Sequence, residues 1–110
     1  MGARTVYKIV SEKEWRAATM AGRFDGSAVD LADGFIHFST AAQAPETAAR
    51  HFAGGHDLLL VAVDAGALDL RWEPSRGGDL FPHLYGSLPM SAVKRVDPWP
   101  LCASGQHRFP

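Results

Sequence analysis

The sequence predicts one small domain of the α+β class, and two observations support that prediction. The chain has 110 residues, of which 46% are hydrophobic and 21% charged, which suits a single globular core. Strand-like and helix-like stretches follow one another in the order β-α-β-α-β-β-β, without the regular alternation of an α/β sheet. We expect one domain over residues 1–110, with its core at about 5–99 and an irregular tail at 100–110.

The first predicted elements are a strand and a helix. Residues 5–10, TVYKIV, are β-branched and aromatic, which favours a strand. Ser11 and Glu14 have the spacing of a capping box, in which each residue's side chain reaches the other's backbone. The helix should therefore occupy about residues 12–21 and end at Gly22.

A loop, a second strand and a second helix are predicted next. Residues 23–34 mix Gly, Ser and Asp with scattered apolar residues, as a loop near a site would. In the strand FIHF, 35–38, alternation places Phe35 and His37 on the same face. A helix should follow Thr40, with a proline in its first turn, and end at the glycine pair 54–55.

Three strands complete the prediction. DLLLVAVD, 57–64, is the most apolar stretch and should be the central strand. LDLRWE, 68–73, alternates again, and PSRGGD, 74–79, has the composition of a mobile loop. SAVKRV, 91–96, is the last predicted strand.

Charge and cysteine content exclude several classes of protein. Lys and Arg total 11 against 12 Asp and Glu, so an extended nucleic-acid surface is not expected. The single Cys102 has no partner for an intramolecular disulfide, which suits a reducing compartment. The chain has no signal-peptide pattern and no apolar stretch of membrane-spanning length, so we expect a cytoplasmic protein without a membrane span. The five histidines lack the spacing of metal ligands, and no metal site is expected.

The first candidate cluster is IHFST, at residues 36–40. His37 lies in a short strand, Ser39 follows on the same face, and Thr40 begins a helix. Free N–H groups at a helix start can hold an anionic or carbonyl-bearing ligand. The alternative is structural: His37 can be a hydrogen-bonded core residue, and Ser39 or Thr40 an N-cap.

The second candidate cluster lies in residues 72–86. His83 and Tyr85 share a face if this stretch is extended, and Glu73 precedes the glycine-rich loop. Here too the alternative is structural, with Glu73 solvated at a strand end and Tyr85 a core ring with its hydroxyl at the rim. Two histidines that each have hydroxyl neighbours favour a shared pocket.

Several of these stretches together resemble the bacterial and plant family called domain of unknown function 952. The matching pieces are VYKI at 6–9, EW at 14–15, DGFIHFST at 33–40, LLLV at 58–61, LRWE at 70–73 and FPHLYGSL at 81–88. The family has no assigned activity, so the resemblance implies a fold more than a function.

That family is similar in fold to the ADP-ribosyltransferase superfamily, which implies a two-sheet, mostly antiparallel domain with two short helices and a cleft for NAD. By this resemblance His37 takes the place of an aromatic residue that stacks on nicotinamide. Lys8 falls where the superfamily contacts the adenosine-side ribose or phosphate, although relatives in the family usually have His there. His83 falls near the place of a Glu that polarises the nicotinamide ribose, and Glu73 substitutes for that carboxylate only if the loop 74–79 folds back.

The resemblance implies a nucleotide-sized cleft. His37, His83 and Glu73 would be its catalytic residues, and the cofactor-binding residues would be Lys8, Ser39, Thr40 and Tyr85. No cofactor is expected to be required, and NAD or an ADP-ribose-type nucleotide is the expected ligand or substrate. Three hypotheses stay open: an enzyme with ADP-ribosyltransferase-like or NAD-glycohydrolase-like activity, a non-catalytic module that binds a small molecule or partner, and a structural domain whose histidines serve the core. The oligomeric state is not predicted.

Overall fold

The sheet with the longest strands contains β1 (Thr5–Ser11), β4 (Leu58–Asp64) and β8 (Val93–Pro98). The computed structural model describes residues 5–51, 57–74 and 78–98. The strands are antiparallel in the order β1-β4-β8, so the most apolar strand is central, as predicted. The last strand begins two residues later than predicted, because Met90–Ala92 form a short 3₁₀ helix before it.

The second sheet contains β3 (Ile36–His37), β6 (Leu80–Leu84) and β5 (Leu70–Pro74), antiparallel in the order β3-β6-β5. The predicted element order omits β6, which contains Pro82, a residue that central strands usually avoid. The Pro82 carbonyl accepts from the Phe38 N–H at 3.0 Å. The register places His37 directly opposite His83.

Residues 23–34 are ordered into two elements, which corrects the predicted loop. β2 (Arg23–Phe24) pairs antiparallel with β7 (Leu88–Pro89), and α2 (Ala28–Asp33) follows. The helix forms because the Ser27 N–H donates to the Asp30 carboxylate at 2.9 Å, which satisfies one free donor of its first turn. The described residues therefore contain three antiparallel sheets and three α-helices, and the predicted two sheets and two helices were wrong.

The other two helices follow the predicted signals. In α1 (Glu12–Ala21) the Ser11 hydroxyl accepts from the Glu14 N–H at 3.1 Å, and Gly22 ends the helix at a φ of 85°. α3 (Ala44–His51) begins after a turn in which Thr40 and Gln43 bond one another's backbone N–H groups. Its predicted end at residues 54–55 lies outside the described residues.

The core lies on both faces of the long sheet. One face packs with α1 and with the β3-β6-β5 sheet, and its cluster includes Val6, Trp15, Ile36 and Val61. The opposite face packs against α3 through Ile9, Leu60, Ala44 and Ala48. Cover on both faces explains why Leu58 to Val63 are all buried. Among the described residues, no helix is long and apolar enough to cross a membrane.

Candidate functional site

One face of the β3-β6-β5 sheet brings together four of the candidate residues. The register aligns His37 of β3, His83 of β6 and Arg71 of β5 in one row, so their side chains emerge on the same face. Glu73 lies two residues after Arg71, and Tyr85 lies two residues after His83, so both side chains project from this same face. We call Phe35, His37, Glu73, His83 and Tyr85 the histidine cluster.

Asp30 is the buried carboxylate beneath the cluster. It is 2% exposed and forms a salt bridge with Lys8 Nζ at 2.8 Å. Its Oδ1 also lies 2.6 Å from His37 Nδ1 and accepts from the His37 backbone N–H at 3.1 Å. A Cβ added to Gly26, whose φ is 121°, would lie 2.8 Å from the Asp30 Cβ, so glycine permits this close approach.

Burial and hydrogen bonding act in opposite directions on this buried pair. Burial alone would raise the pKa of Asp30, but hydrogen bonds from His37 and Lys8 and the Lys8 charge outweigh it and hold that pKa well below its ordinary value. Burial lowers the pKa of the Lys8 ammonium, although Asp30 opposes the change. The Lys8 ammonium also donates to the His37 carbonyl at 3.1 Å, so it is engaged within the protein.

The second nitrogen of His37 faces the surface. Nε2 lies 2.9 Å from Oδ2 of Asp33, a carboxylate that is 48% exposed. Carboxylates only accept hydrogen bonds, so both contacts of the ring form together when both nitrogens hold a hydrogen. The buried Asp30 orients the imidazole, and the exposed Asp33 occupies its accessible edge.

Glu73 is the second carboxylate of the cluster. Its Oε1 lies 2.8 Å from His83 Nδ1 and accepts from the Tyr85 hydroxyl at 2.7 Å. The hydrogen bonds from His83 and Tyr85 lower the pKa of Glu73 below its usual value. The bond to Glu73 in turn raises the pKa of the Tyr85 phenol, because ionising the phenol would remove a donor.

His83 is held at one nitrogen and unpaired at the other. Its side chain is 5% exposed, and Nε2 has no hydrogen-bond partner among the residues that the structure describes. Because the Glu73 oxygen is an acceptor, Nδ1 holds the hydrogen of the neutral ring and Nε2 is left as an acceptor. A buried polar atom without a partner is rare in a native protein and calls for an explanation.

Phe35 covers the histidines. Its ring stacks on His83 with centroids 4.1 Å apart and lies 4.6 Å from the His37 ring and 5.2 Å from the Tyr85 ring. The two imidazole centroids are 5.5 Å apart. Arg71 places its guanidinium carbon 5.5 Å from the centre of the Tyr85 ring.

An open cleft of about 250 Å³ borders the cluster at Phe35. Its lining comes from β2, α2 and the turn after β6, and consists of Asp25, Asp30, Leu31, Gly34, Phe35, Ile36, Gly86 and Ser87. Hydrogen bonds from Ser87 and Arg23 lower the pKa of Asp25. The cleft is therefore polar on the side formed by Asp25 and Asp30 and aromatic at Phe35.

Comparisons with known proteins support the family resemblance. A family described as protein of unknown function DUF952 matches residues 9–96. The chain belongs to this family. The crystal structure of protein CC0527 from Caulobacter crescentus is 55% identical, with 94% of this chain and 93% of that chain covered and a TM-score of 0.90. The solution structure of CC0527 is 56% identical over 93% of this chain and 90% of that chain, with a TM-score of 0.84. No curated protein matches this chain.

In this DUF952 domain four of the seven predicted site residues lie together. His37, His83, Glu73 and Tyr85 form the cluster, and Glu73 reaches His83 from the neighbouring strand β5. Residues 75–77 of the loop 74–79 lie outside the described residues. Lys8 lies beneath the cluster, 4% exposed and paired with Asp30.

Ser39 and Thr40 lie apart from the histidine cluster and have structural partners. The Ser39 hydroxyl is 3.1 Å from the Thr47 hydroxyl, and the Ser39 backbone pairs with Tyr7. Thr40 belongs to the turn before α3, but the helix begins four residues later at Ala44, so Thr40 is not the N-cap of that helix. In this structure neither hydroxyl belongs to the cluster.

Sequence reasoning missed four residues of the site: Phe35, Asp30, Asp33 and Arg71. Phe35 has the same parity as His37, which was visible in FIHF. Ser27 and Asp30 have the spacing of a helix N-cap with an acid three residues on, which signalled α2. Among the described residues, no group of three or more His, Cys, Asp or Glu could hold a metal ion.

Proposed function

We propose that the histidine cluster binds the nicotinamide and ribose end of NAD or of an ADP-ribose-type nucleotide, as an ADP-ribosyltransferase-like cleft would. The observation that carries the proposal is His83, whose Nδ1 is fixed by Glu73 while the buried Nε2 has no partner among the described residues. A ligand hydroxyl or a bound water would satisfy that nitrogen.

Phe35 and His37 support binding of a planar ring. Their rings are 4.6 Å apart, and Phe35 also lines the open cleft. Partly exposed aromatic faces suit a stacked heterocycle such as nicotinamide. The aromatic contribution that the family resemblance assigned to His37 is thus shared with Phe35.

The pair of Glu73 and His83 supports processing of the ligand. A neutral imidazole alone brings no negative charge, but here the Glu73 carboxylate lies 2.8 Å behind it. In hydrolysis, water oxygen would bond to the ribose carbon, the carbon–nitrogen bond to nicotinamide would break, and its electron pair would neutralise the pyridinium. His83 Nε2 would accept the water proton, and Glu73 would stabilise the imidazolium that forms.

Arg71 is better placed than Lys8 to contact the ligand's phosphates. Lys8 is buried and forms a salt bridge with Asp30, whereas Arg71 is exposed and lies over the Tyr85 ring. A guanidinium also offers a bidentate fork to phosphate oxygens. The phosphate role expected of Lys8 therefore moves to Arg71 in this proposal.

A second candidate function is binding without turnover. The specific observation that favours it is the Phe35 ring, which stacks on His83 at 4.1 Å and covers the residue that would act as the base. In a binding module Phe35 stays in place and the ligand stacks on its outer side.

The test is an NMR chemical-shift titration of the labelled protein with NAD, ADP-ribose and nicotinamide, with free nicotinamide measured in the same samples. We expect shifts at Phe35, His37, His83 and Tyr85. Release of nicotinamide by the wild type but not by His83→Leu supports an enzyme, and shifts without release support the binding module. Glu12→Gln, which changes a carboxylate on the surface of α1, should behave as the wild type. Absence of shifts with all three compounds would overturn the proposal.

A further inference from the structure

The outer edge of β5 carries backbone hydrogen-bonding groups that face away from its own sheet. In the part of the chain that the structure describes, β5 is the outer strand of the order β3-β6-β5 and pairs with β6 alone. The backbone groups of successive residues in an antiparallel strand point to alternate sides. The Pro82 carbonyl of β6 accepts from Phe38, on the β3 side. The neighbouring residues of β6, Phe81 and His83, therefore direct their backbone groups at β5.

The register then identifies the outward groups of β5. Phe81 and His83 lie opposite Glu73 and Arg71. The backbone groups of Arg71 and Glu73 are therefore engaged by β6, and those at positions 70, 72 and 74 point outward. Position 74 is a proline, which lacks an N–H and suits an edge strand. A row of outward donors and acceptors is a template for pairing with another strand.

The other sheet edges are less suited to such pairing. The outer edge of β1 is partly occupied, because the Tyr7 N–H and carbonyl both bond the Ser39 backbone at 2.8 Å. Strand β3 has only two residues. Strand β8 carries the adjacent cations Lys94 and Arg95, and charges of this kind discourage association of edge strands. The edge of β5 is therefore the best candidate.

The side chains of β5 complement a second copy of the same strand. In an antiparallel pair centred on Trp72, each Arg71 lies opposite Glu73 of the other copy, and the two Trp72 residues face one another. Opposite charges and aromatic pairs at such positions stabilise strand pairing. Arg71 is exposed, and Trp72 is 39% exposed. The bonds that Glu73 accepts from His83 and Tyr85 both use Oε1, so Oε2 can accept from the guanidinium.

We infer that the chain forms a symmetric dimer through β5, in which the two β3-β6-β5 sheets join into one continuous antiparallel sheet. The Trp72 N–H of each copy donates to the Trp72 carbonyl of the other, and each Leu70 N–H donates to the opposite Pro74 carbonyl. Arg71 of the second copy then lies beside Glu73, at the histidine cluster. A guanidinium has enough N–H donors for that carboxylate and a ligand phosphate together. The inference goes beyond the proposed function and does not depend on it.

Sedimentation equilibrium of charge variants tests the dimer. We expect the wild type to have the mass of two chains at the concentrations used for NMR. Arg71→Glu and Glu73→Arg each place like charges opposite one another, which should raise the dissociation constant about tenfold or more. The double variant Arg71→Glu/Glu73→Arg restores opposite charges and should recover most of the affinity. Lys13→Glu, which makes the same change of charge on the exposed surface of α1, should associate as the wild type.

Hydrogen exchange of the wild type tests the backbone pairing without any substitution, and it decides the question if a charge variant unfolds. The Leu70 and Trp72 amides should become protected as the protein concentration rises. The Arg71 and Glu73 amides, which point to β6, should be protected at every concentration. A monomer throughout, or a dimer in which the Leu70 and Trp72 amides gain no protection, would overturn the inference. So would undiminished association of both folded single variants.

Discussion

The two carboxylate centres of this domain, Asp30 and Glu73, differ in how completely their partners are satisfied. Asp30 is buried and accepts from Lys8, His37 and Ser27, so that each charge has a partner inside the protein. Glu73 is 37% exposed and holds His83 at one nitrogen while the other has no partner among the described residues.

The difference separates a structural centre from a functional one. A satisfied buried network rigidifies the fold and fixes the orientation of side chains that project from it. An unsatisfied buried nitrogen is costly, and proteins keep such atoms where a ligand or water completes the bonding. The Asp30 centre therefore positions His37, and the Glu73 centre leaves the His83 Nε2 that the proposed ligand would contact without a partner among the described residues.

The largest expected effect comes from breaking the Asp30 centre. Asp30→Asn leaves the Lys8 ammonium buried without its counter-charge, which should lower the free energy of unfolding by about 3–5 kcal/mol. Asp33→Asn is the matched control, because Asp33 contacts the other nitrogen of the same His37 ring but is 48% exposed. Its cost should stay within about 1 kcal/mol. Urea unfolding measures both, and equal costs would contradict the distinction between the two carboxylates.

Much of the site could be predicted from the sequence, because the alternation of side chains along a strand is a local property. Phe35 and His37 share a face by alternation, and the pairing of β3 with β6 then brings His83 opposite. Lys8 lies on the same face of β1 as the buried Val6 and Val10, so alternation along the strand indicates that its side chain is buried.

The Asp30 centre could not be predicted in the same way. Asp30 becomes a buried partner of Lys8 only through a contact between residues 22 positions apart in the chain. The spacing of Ser27 and Asp30 indicates the start of a helix, and the loop prediction overlooked that signal. The burial of the carboxylate against Lys8 depends on a tertiary contact that no local pattern shows.

The dependence of stability on pH tests the comparison between Asp30 and Glu73. The folded-state pKa of Asp30 lies below its ordinary value of 3.8, so its stabilising contribution is present above that value and is lost as the pH falls towards the folded pKa. Glu73 also has a lowered pKa, so the same sign applies below its ordinary value of 4.5. We expect unfolding free energy to decrease with acid below these values. The decrease should become much shallower in Asp30→Asn and slightly shallower in Glu73→Gln, and the reverse order would contradict the comparison.

Removal of the ring that covers the Glu73 centre should destabilise the fold less than Asp30→Asn does. It should also increase the reactivity of His83. Phe35→Ala removes the ring stacked on His83, and because Phe35 is only half buried the loss should be about 2 kcal/mol, below the range for a fully buried Phe. Modification of His83 by diethyl pyrocarbonate, followed by peptide mass spectrometry, should become several-fold faster. Trp72→Ala is the control, since Trp72 alternates to the opposite face of β5. An unchanged rate at His83 in Phe35→Ala would show that Phe35 does not limit access to its free nitrogen.

The smallest expected effect is at Tyr85, where the Glu73 centre meets solvent. Tyr85→Phe removes an exposed hydrogen bond and should leave the free energy of unfolding nearly unchanged. The bond to Glu73 is instead visible in the phenol, because it raises the pKa of Tyr85 above its ordinary value of 10.0. The contribution of this bond to stability is present below that pH and is lost as the pH rises through the folded-state pKa. Carbon-13 NMR of the tyrosine ring, assigned with Tyr85→Phe, should show the titration moving back towards 10.0 in Glu73→Gln. If the titration did not move, Glu73 would not be the partner of the phenol, and its negative charge would be directed at His83 alone.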